Sequence, residues 1–427
     1  MPTRSPLARL FGLGFAIALL PGCSLFDLNP SDCDDYVEAP SDDFPRWAEV
    51  GDANAPRIDF QVCDSATVDL NGDGRLDLVA ANHLEAGFAY FMGEPTGPVR
   101  FAEGRSVEFV GGGNSAGVVV ADFNMDGIPD IANSDHPGIL TVRVNATPAG
   151  AAIDEVDFPD AGETNIDIGV DHSAGHGFAG VEGGLVAADF NADGKIDIAT
   201  ANLGENADGL TTASVFLNTT VAAEPAGDGE RVRIVPATFA AVQYIELPGA
   251  AISIATADFD GDGSPDLVTS NTAVSSVSVL TNRTPVGSDV VVFEENELQI
   301  PADGNPAGAG PTNPVVADFN GDGKPDVATA NWNVQTVVVF TNATDEGGPT
   351  AFIGRPEVVE LCFNPLVVRA ADLDGDDDDD LVVIPLDLRE DLAFGVIENQ
   401  TEPDDEAPSL AFVDAVELPA RMRDVGF

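Results

Sequence analysis

Basic residues are scarce in this 427-residue chain: 18 Lys and Arg stand against 73 Asp and Glu, for a formal net charge of -55. Contacts to phosphate need clustered cations, so the composition argues against nucleic acid and against bare anionic lipid as partners. Histidine is almost missing, with only His83, His136, His172 and His176. His172 and His176 fall in the glycine-rich stretch Asp171-His-Ser-Ala-Gly-His-Gly, and without a third ligand of matching spacing they read as an exposed loop. No G-x-S-x-G, H-E-x-x-H or Walker pattern is present. After residue 20 no apolar run is long enough to cross a bilayer as a helix. Cysteine is limited to Cys23, Cys33, Cys63 and Cys362. If Cys23 is modified, an odd number remains: Cys33 with Cys63 is the local pairing, Cys63 with Cys362 would join the first repeat to the last, and the sequence leaves both open.

The amino terminus has the layout of an export signal. Arg4 and Arg9 precede an apolar run from Leu10 to Leu20, followed by Pro21-Gly22-Cys23. The run is short for a membrane span and suits a secretory signal. A cysteine at its end looks like the lipobox of a bacterial lipoprotein. That resemblance implies cleavage before Cys23, acylation of its thiol and, because Ser24 follows, a tether at the outer membrane; plain secretion is the alternative. The expected organisation is a signal peptide over 1–22, an acidic tether over 23–43 and one folded body over 44–427.

What the chain has in abundance is one acidic nonapeptide, written six times at intervals of 53 to 69 residues. Such self-similarity marks a repeat architecture. The first copy is Asp69-Leu-Asn-Gly-Asp-Gly-Arg-Leu-Asp77. Oxygens at positions one, three, five and nine, with the carbonyl of position seven, can converge on one hard cation, and calcium accepts such a shell of six to eight oxygens. The candidate ligands are Asp69, Asn71, Asp73 and Asp77; Asp122, Asn124, Asp126 and Asp130; Asp189, Asn191, Asp193 and Asp197; Asp258, Asp260, Asp262 and Asp266; Asp318, Asn320, Asp322 and Asp326; and Asp372, Asp374, Asp376 and Asp380. Magnesium tolerates irregular all-protein cages poorly, so about six Ca2+ sites are expected. An EF-hand is excluded, because position twelve is Ala80 in the first copy and Thr269 in the fourth, and short β-rich runs follow in place of helices. In the sixth copy Asp377 stands where the others carry a position-six Gly. A Cβ is strained at positive φ, so this site is expected to be the weakest.

The fourth repeat displays the plan of one unit. Ile252-Ser-Ile-Ala-Thr leads into the loop, Leu267-Val-Thr leads out, and Val277-Ser-Val-Leu and Val290-Val-Val-Phe follow after polar turns. Four such runs predict a four-stranded antiparallel meander. Repeated around an axis, the meanders cover each other's faces as the blades of a β-propeller. With its D-x-[DN]-x-D-G-x-x-D loops the sequence resembles FG-GAP or VCBS repeat proteins, which include the propeller of integrin α subunits. The resemblance covers roughly 44–427 and implies an all-β, calcium-stabilised propeller with its metal loops on one face. Six loops require at least six blades. Strand-like runs at Trp47–Val50, Ile58–Val62, Ala411–Leu418 and Met422–Val425 favour a seventh, closed from both termini.

Five matches to the N-glycosylation pattern, beginning at Asn145, Asn218, Asn282, Asn342 and Asn399, each follow the third strand of a unit. Because they recur with the repeat, a role in the turn is preferred over modification. The expected function is a binding or scaffold protein that presents a rigid face to an extracellular protein or glycan, touches membrane only through its lipid and performs no catalysis. The competing reading is a polysaccharide-degrading lyase. It is disfavoured because binding a uronate carboxylate calls for cations that this chain scarcely has, and because the loop carboxylates are better used as metal ligands than as a hydrolytic pair.

Overall fold

A computed structural model describes residues 62–82, 87–94, 101–102, 104–109, 115–135, 138–152, 155–171, 184–222, 234–301, 305, 308–345, 347–376, 378–385, 392–401 and 407–417. The first sheet runs β1 (Val62–Val68), β2 (Asp77–Asn82), β3 (Gly87–Phe91), β4 (Arg105–Glu108), and the second β5 (Ser115–Ala121), β6 (Asp130–Asp135), β7 (Ile139–Arg143), β8 (Glu163–Asp167). A two-residue strand, β9 (Val170–Asp171), pairs with the end of β11 in the third sheet, β10 (Leu185–Ala188), β11 (Asp197–Asn206), β12 (Thr211–Phe216), β13 (Gln243–Glu246). The fourth is β14 (Ala251–Ala257), β15 (Asp266–Asn271), β16 (Ser276–Asn282), β17 (Phe293–Gln299), and the fifth β18 (Pro311–Ala317), β19 (Asp326–Asn331), β20 (Thr336–Phe340), β21 (Glu357–Glu360). The sixth is β22 (Pro365–Ala371), β23 (Asp380–Pro385), β24 (Leu392–Asn399), β25 (Leu410–Glu417). All pairings within these meanders are antiparallel. Six sheets are present among the described residues, so the expected seventh blade is corrected to six. The run from Ala411 is the fourth strand of the sixth blade, while Trp47–Val50 and Met422–Val425 lie outside the described residues.

The acidic loop always joins the first strand of a blade to the second. Its ninth residue opens the second strand opposite the last residue of the first: Val68 pairs Asp77, Ala121 pairs Asp130, Ala257 pairs Asp266 and Ala371 pairs Asp380. Second and third strands lie between neighbouring sheets and are buried on both faces, as in β15 and β16. That explains their continuous apolar and β-branched character. The outermost strand keeps one face in water. In the fourth blade it runs from Phe293 to Gln299, and Val290 and Val292, expected within it, stand exposed before it.

Neighbouring blades share cores. Phe123, Leu140 and Val142 of the second pack with Leu185, Ile198 and Phe216 of the third, and Phe319, Val337 and Val339 of the fifth with Val368, Leu381 and Ile397 of the sixth. Position two of each loop supplies a buried anchor: Leu70, Phe123, Phe190, Phe259, Phe319 or Leu373. In three blades the anchor ring meets a phenylalanine of the following blade edge-on or tilted, Phe123 with Phe239, Phe190 with Phe293 and Phe259 with Phe352, each pair 6.2 Å between centroids. Burying a ring of this size stabilises by about 2–3 kcal/mol. At the centre, Asp64 of β1 accepts the Val118 N–H of β5 at 3.0 Å and interacts electrostatically with Arg369 of β22, so the innermost strand of the sixth blade returns toward the first.

The five asparagines at or just past the ends of the third strands hold the blades to one another. Each side-chain amide donates to the position-two carbonyl of the preceding blade: Asn145 to Leu70, Asn218 to Phe123, Asn282 to Phe190, Asn342 to Phe259 and Asn399 to Phe319, all at 2.9 Å. The same Nδ2 reaches the position-eight carbonyl of its own loop, and Oδ1 accepts the N–H two residues on, as in Thr344 N to Asn342 at 2.9 Å. All five are at most 2% exposed, which leaves no room for a glycan in the folded protein. The turn role expected for them is therefore accompanied by a contact between blades. Asn342→Ala would strand the Phe259 and Pro325 carbonyls and the Thr344 N–H in a buried site. It should lower unfolding free energy by about 3 kcal/mol, measured by urea denaturation; a loss under about 1 kcal/mol would mean that the amide contributes no more than a surface turn.

Candidate cation sites in the blade loops

Within each loop the chain folds around its own carboxylates. In the first five, Asp at position one accepts the N–H groups of positions five and six, as Asp69 does from Asp73 at 3.0 Å and Gly74 at 2.7 Å, and Asp318 from Asp322 and Gly323 at the same two distances. The position-three side chain accepts the position-five N–H through Oδ1, and position five accepts the position-seven N–H through Oδ1. This curvature needs left-handed backbone twice. Position six is Gly in these five, with φ between 84° and 87°. Position four is also left-handed, at 68° in Gly72, 65° in Met125, 53° in Ala192, 70° in Gly261, 72° in Gly321 and 93° in Gly375. The sequence reading missed that second requirement, although glycine at position four in four of six copies was a signal for it. The sixth loop differs in that Gly375 N–H donates to Asp372 Oδ1 at 2.6 Å; Asp377 lies outside the described residues.

Positions one, three and five come together. One oxygen from each of Asp258, Asp260 and Asp262 lies within 4.8 Å of the others, and the same holds for Asp372, Asp374 and Asp376. The remaining loops have the same bonding pattern with a neutral Asn at position three. In the fourth loop the Oδ2 atoms of positions three and five receive no backbone N–H and both meet Arg283 Nη1; the oxygens that the other loops gather at positions one, three and five are of the kind a hard divalent cation takes.

Position nine is built into the frame. Its Oδ2 accepts the position-two N–H and its Oδ1 the N–H of the residue that ends the third strand or lies two places beyond it: Asp266 takes Phe259 at 2.8 Å and Asn282 at 2.6 Å, and Asp326 takes Phe319 at 3.0 Å and Asn342 at 2.7 Å. Asp77 receives Leu70 and Gly93 in the same way, Asp130 receives Phe123 and Asn145, Asp197 receives Phe190 and Asn218, and Asp380 receives Leu373 and Asn399. Burial pushes these carboxyls up, Asp130 to about 8 and Asp197, Asp266, Asp326 and Asp380 to about 7, against the opposing pull of the backbone donors. A cation at positions one, three and five would favour the charged form. Position nine is thus the hub through which a filled loop would be felt by the blade, whether or not it ligates directly.

Successive loops also touch. Gly150, Gly287 and Gly347, each five residues after a stapling Asn, donate N–H to the position-three carbonyl of the preceding blade: Asn71 at 2.6 Å, Asn191 at 2.6 Å and Asp260 at 2.7 Å. The lipidation candidate Cys23 and the four histidines lie outside the described residues, as does the side chain of Cys63; Cys362 is buried in the core between the fifth and sixth blades.

Six four-stranded antiparallel sheets, each entered through the same acidic loop, define a β-propeller. The chain belongs to the FG-GAP-like repeat family, whose model matches residues 69–132, 189–269 and 318–383, starting at the first Asp of the first, third and fifth loops. Among solved structures it is similar to BBS1N in complex with ARL6DN, at 10% identity over 81% of each chain with a TM-score of 0.45. It is also similar to a candidate 6-phosphogluconolactonase from Bacteroides uniformis, at 13% identity over 83% of this chain and 87% of that one with a TM-score of 0.49. A protein from Lactobacillus plantarum gives 13% identity over 84% and 86% with a TM-score of 0.47. None of the three bears on activity. No curated protein matches the chain.

Ala192 isolates the backbone requirement, because it has little side chain to lose. A left-handed conformation costs a residue with a Cβ about 1 kcal/mol or more, partly offset by the greater freedom of glycine in the unfolded chain. Ala192→Gly should therefore stabilise the protein by about 0.5 kcal/mol, seen as a higher urea midpoint at unchanged slope; a lower midpoint would show that position four carries no strain.

Proposed function

We propose that this propeller is a calcium-stabilised binding or scaffold protein, tethered outside the cytoplasm through Cys23, that presents one face to a protein or glycan. The observation that carries the reading is the recurrence of one donor set at one topological position in every blade. In the second to sixth blades each set is wired through position nine to the asparagine that grips the preceding blade. A cation in such a loop neutralises carboxylates that are crowded in its absence and so favours the native state by mass action. A catalytic site would need to break the repeat with a distinctive group. The described loops instead repeat one another, and the acidic surface suits a partner held by hydrogen bonds and by calcium better than one held by cations. The outer membrane is the favoured location, because Ser24 and not Asp follows Cys23.

Exhaustive chelation should lower the melting temperature by several degrees, calcium should restore it, and magnesium should do so poorly. A melting curve that is unchanged once calcium is shown absent by elemental analysis would reduce the loops to ordinary turns. A glycan array read with and without calcium, alongside an assay for unsaturated uronate products, separates binder from lyase; product formation would overturn the binding reading. Cys23→Ser should move the protein from the detergent phase to a soluble extracytoplasmic fraction, and unchanged partitioning would remove the tether.

A further inference from the structure

The fourth loop differs from the others in one buried charge. Position three is a neutral Asn in the first, second, third and fifth loops, where it is at most 8% exposed. In the fourth it is Asp260, 2% exposed. The sixth loop also carries Asp there, Asp374, but this residue is only partly buried. A carboxylate removed from water needs a partner of opposite charge. The fourth blade supplies one from outside the loop: Arg283, the residue after the stapling Asn282, places Nη1 at 2.5 Å from Asp260 Oδ2 and 3.3 Å from Asp262 Oδ2. Its Nε lies 3.2 Å from Glu294 on the outer strand, which fixes the guanidinium from behind. The corresponding residues in the second, third, fifth and sixth blades are Ala146, Thr219, Ala343 and Gln400.

The two oxygens that Arg283 touches are the two that the loop backbone leaves unused. Asp260 Oδ1 takes the Asp262 N–H and Asp262 Oδ1 takes the Ser264 N–H. A calcium ion bound by those Oδ2 atoms would sit about 2.3–2.6 Å from each. It would therefore share the space of Nη1, and two cations would be forced together. Other loops have milder versions: Arg75, Lys195 and Lys324, each at position seven, meet the position-five carboxylate of their own loop and no position-three oxygen, and Arg75 and Lys195 also donate to the Gly93 and Asn218 carbonyls. The second loop has Ile128 at position seven and Ala146 after its Asn, and no internal cation reaches it among the described residues.

We infer that Arg283 is the resident cation of the fourth loop, closing it without a divalent ion, so that the molecule binds one calcium fewer than its count of acidic loops suggests. The inference rests on the calcium reading given above, and its test separates the two. Calcium bound per chain is measured by equilibrium dialysis and elemental analysis on the purified full chain and on Arg283→Gln, Asp258→Asn, Asp122→Asn and the double variant Arg283→Gln with Asp258→Asn. Arg283→Gln should gain one calcium, and the double variant should lose it again. Asp258→Asn alone should leave the wild-type number unchanged, whereas Asp122→Asn, in the second loop, should reduce it by one. In chelator, Arg283→Gln should melt below the wild type, and calcium should close that gap. Should Arg283→Gln fold, as judged by circular dichroism, and bind no additional ion, or should Asp258→Asn alone lose one, Arg283 is not the occupant. Should Arg283→Gln fail to fold, the comparison of Asp258→Asn with Asp122→Asn still decides the matter. Absence of calcium from every variant, Asp122→Asn making no difference, would overturn both this inference and the calcium reading; loss of an ion from both single Asp variants would overturn this inference alone.

Discussion

Each blade is organised around a carboxylate with almost no access to water. The ninth residue of the acidic loop is at most 1% exposed in all six copies, and a charge so placed is tolerated only with donors on both oxygens. Those donors come from the turn just before it and from the end of the third strand. The loop, the first hairpin and the exit of the third strand are consequently locked in one geometry. In the first five blades the residue that donates from position two turns its side chain into the core and its carbonyl toward the next blade's asparagine. One buried acid thereby sets the internal shape of a blade and the angle at which its neighbour docks. Unregistered strands would leave the acid without partners, at a cost of several kcal/mol.

The same arrangement explains how so acidic a chain can be compact. Six divalent ions would offset only a fraction of a net charge of -55, so most of the repulsion must be handled locally. The loops do this with peptide dipoles: in the third loop, positions one and nine each accept two backbone N–H groups and positions three and five one each, before any ion is considered. Where a loop adds a further buried charge, a guanidinium is recruited to it. Dipoles aimed inward and exposed carboxylates aimed outward give a surface that remains acidic while the interior remains close to neutral.

Much of this was legible in the sequence because a repeat averages out local noise. One nonapeptide with four oxygen positions is a weak signal, and six are enough to name the fold and to place each loop between first and second strands. Features that depend on a neighbour were not legible. The pattern at Asn282-Arg-Thr284 suggests either a glycan site or a turn, and only the structure supplies its partner, the Phe190 carbonyl 92 residues earlier. The outer strand Phe293–Gln299 escaped because Glu294, Glu295 and Glu297 face water and dilute the apolar signal, while the conspicuous Val290–Val292 run precedes the strand. Blade number was misjudged for a related reason: the sixth unit reaches its fourth strand only at Leu410, so a strand belonging to it looked like a remainder.

Where the first blade should offer an asparagine, it has Gly93, which delivers the backbone N–H to Asp77 but has no amide to extend backward. A Cβ at this place would come within 2.5 Å of the Leu76 carbonyl. The chain of staples therefore has a direction: each later blade grips its predecessor through an asparagine, and among the described residues the first blade has no such staple. A molecule linked in this way resembles a one-dimensional lattice with a free end, in which each unit's stability depends on its immediate neighbours. Since a complete joint is contained within one repeat and the anchor of the one before it, duplicating a repeat would carry a working joint with it. Such a protein can change its number of repeats over evolutionary time by carrying each joint along with its repeat, and the place where such a molecule first comes apart under load is the joint that has no asparagine staple.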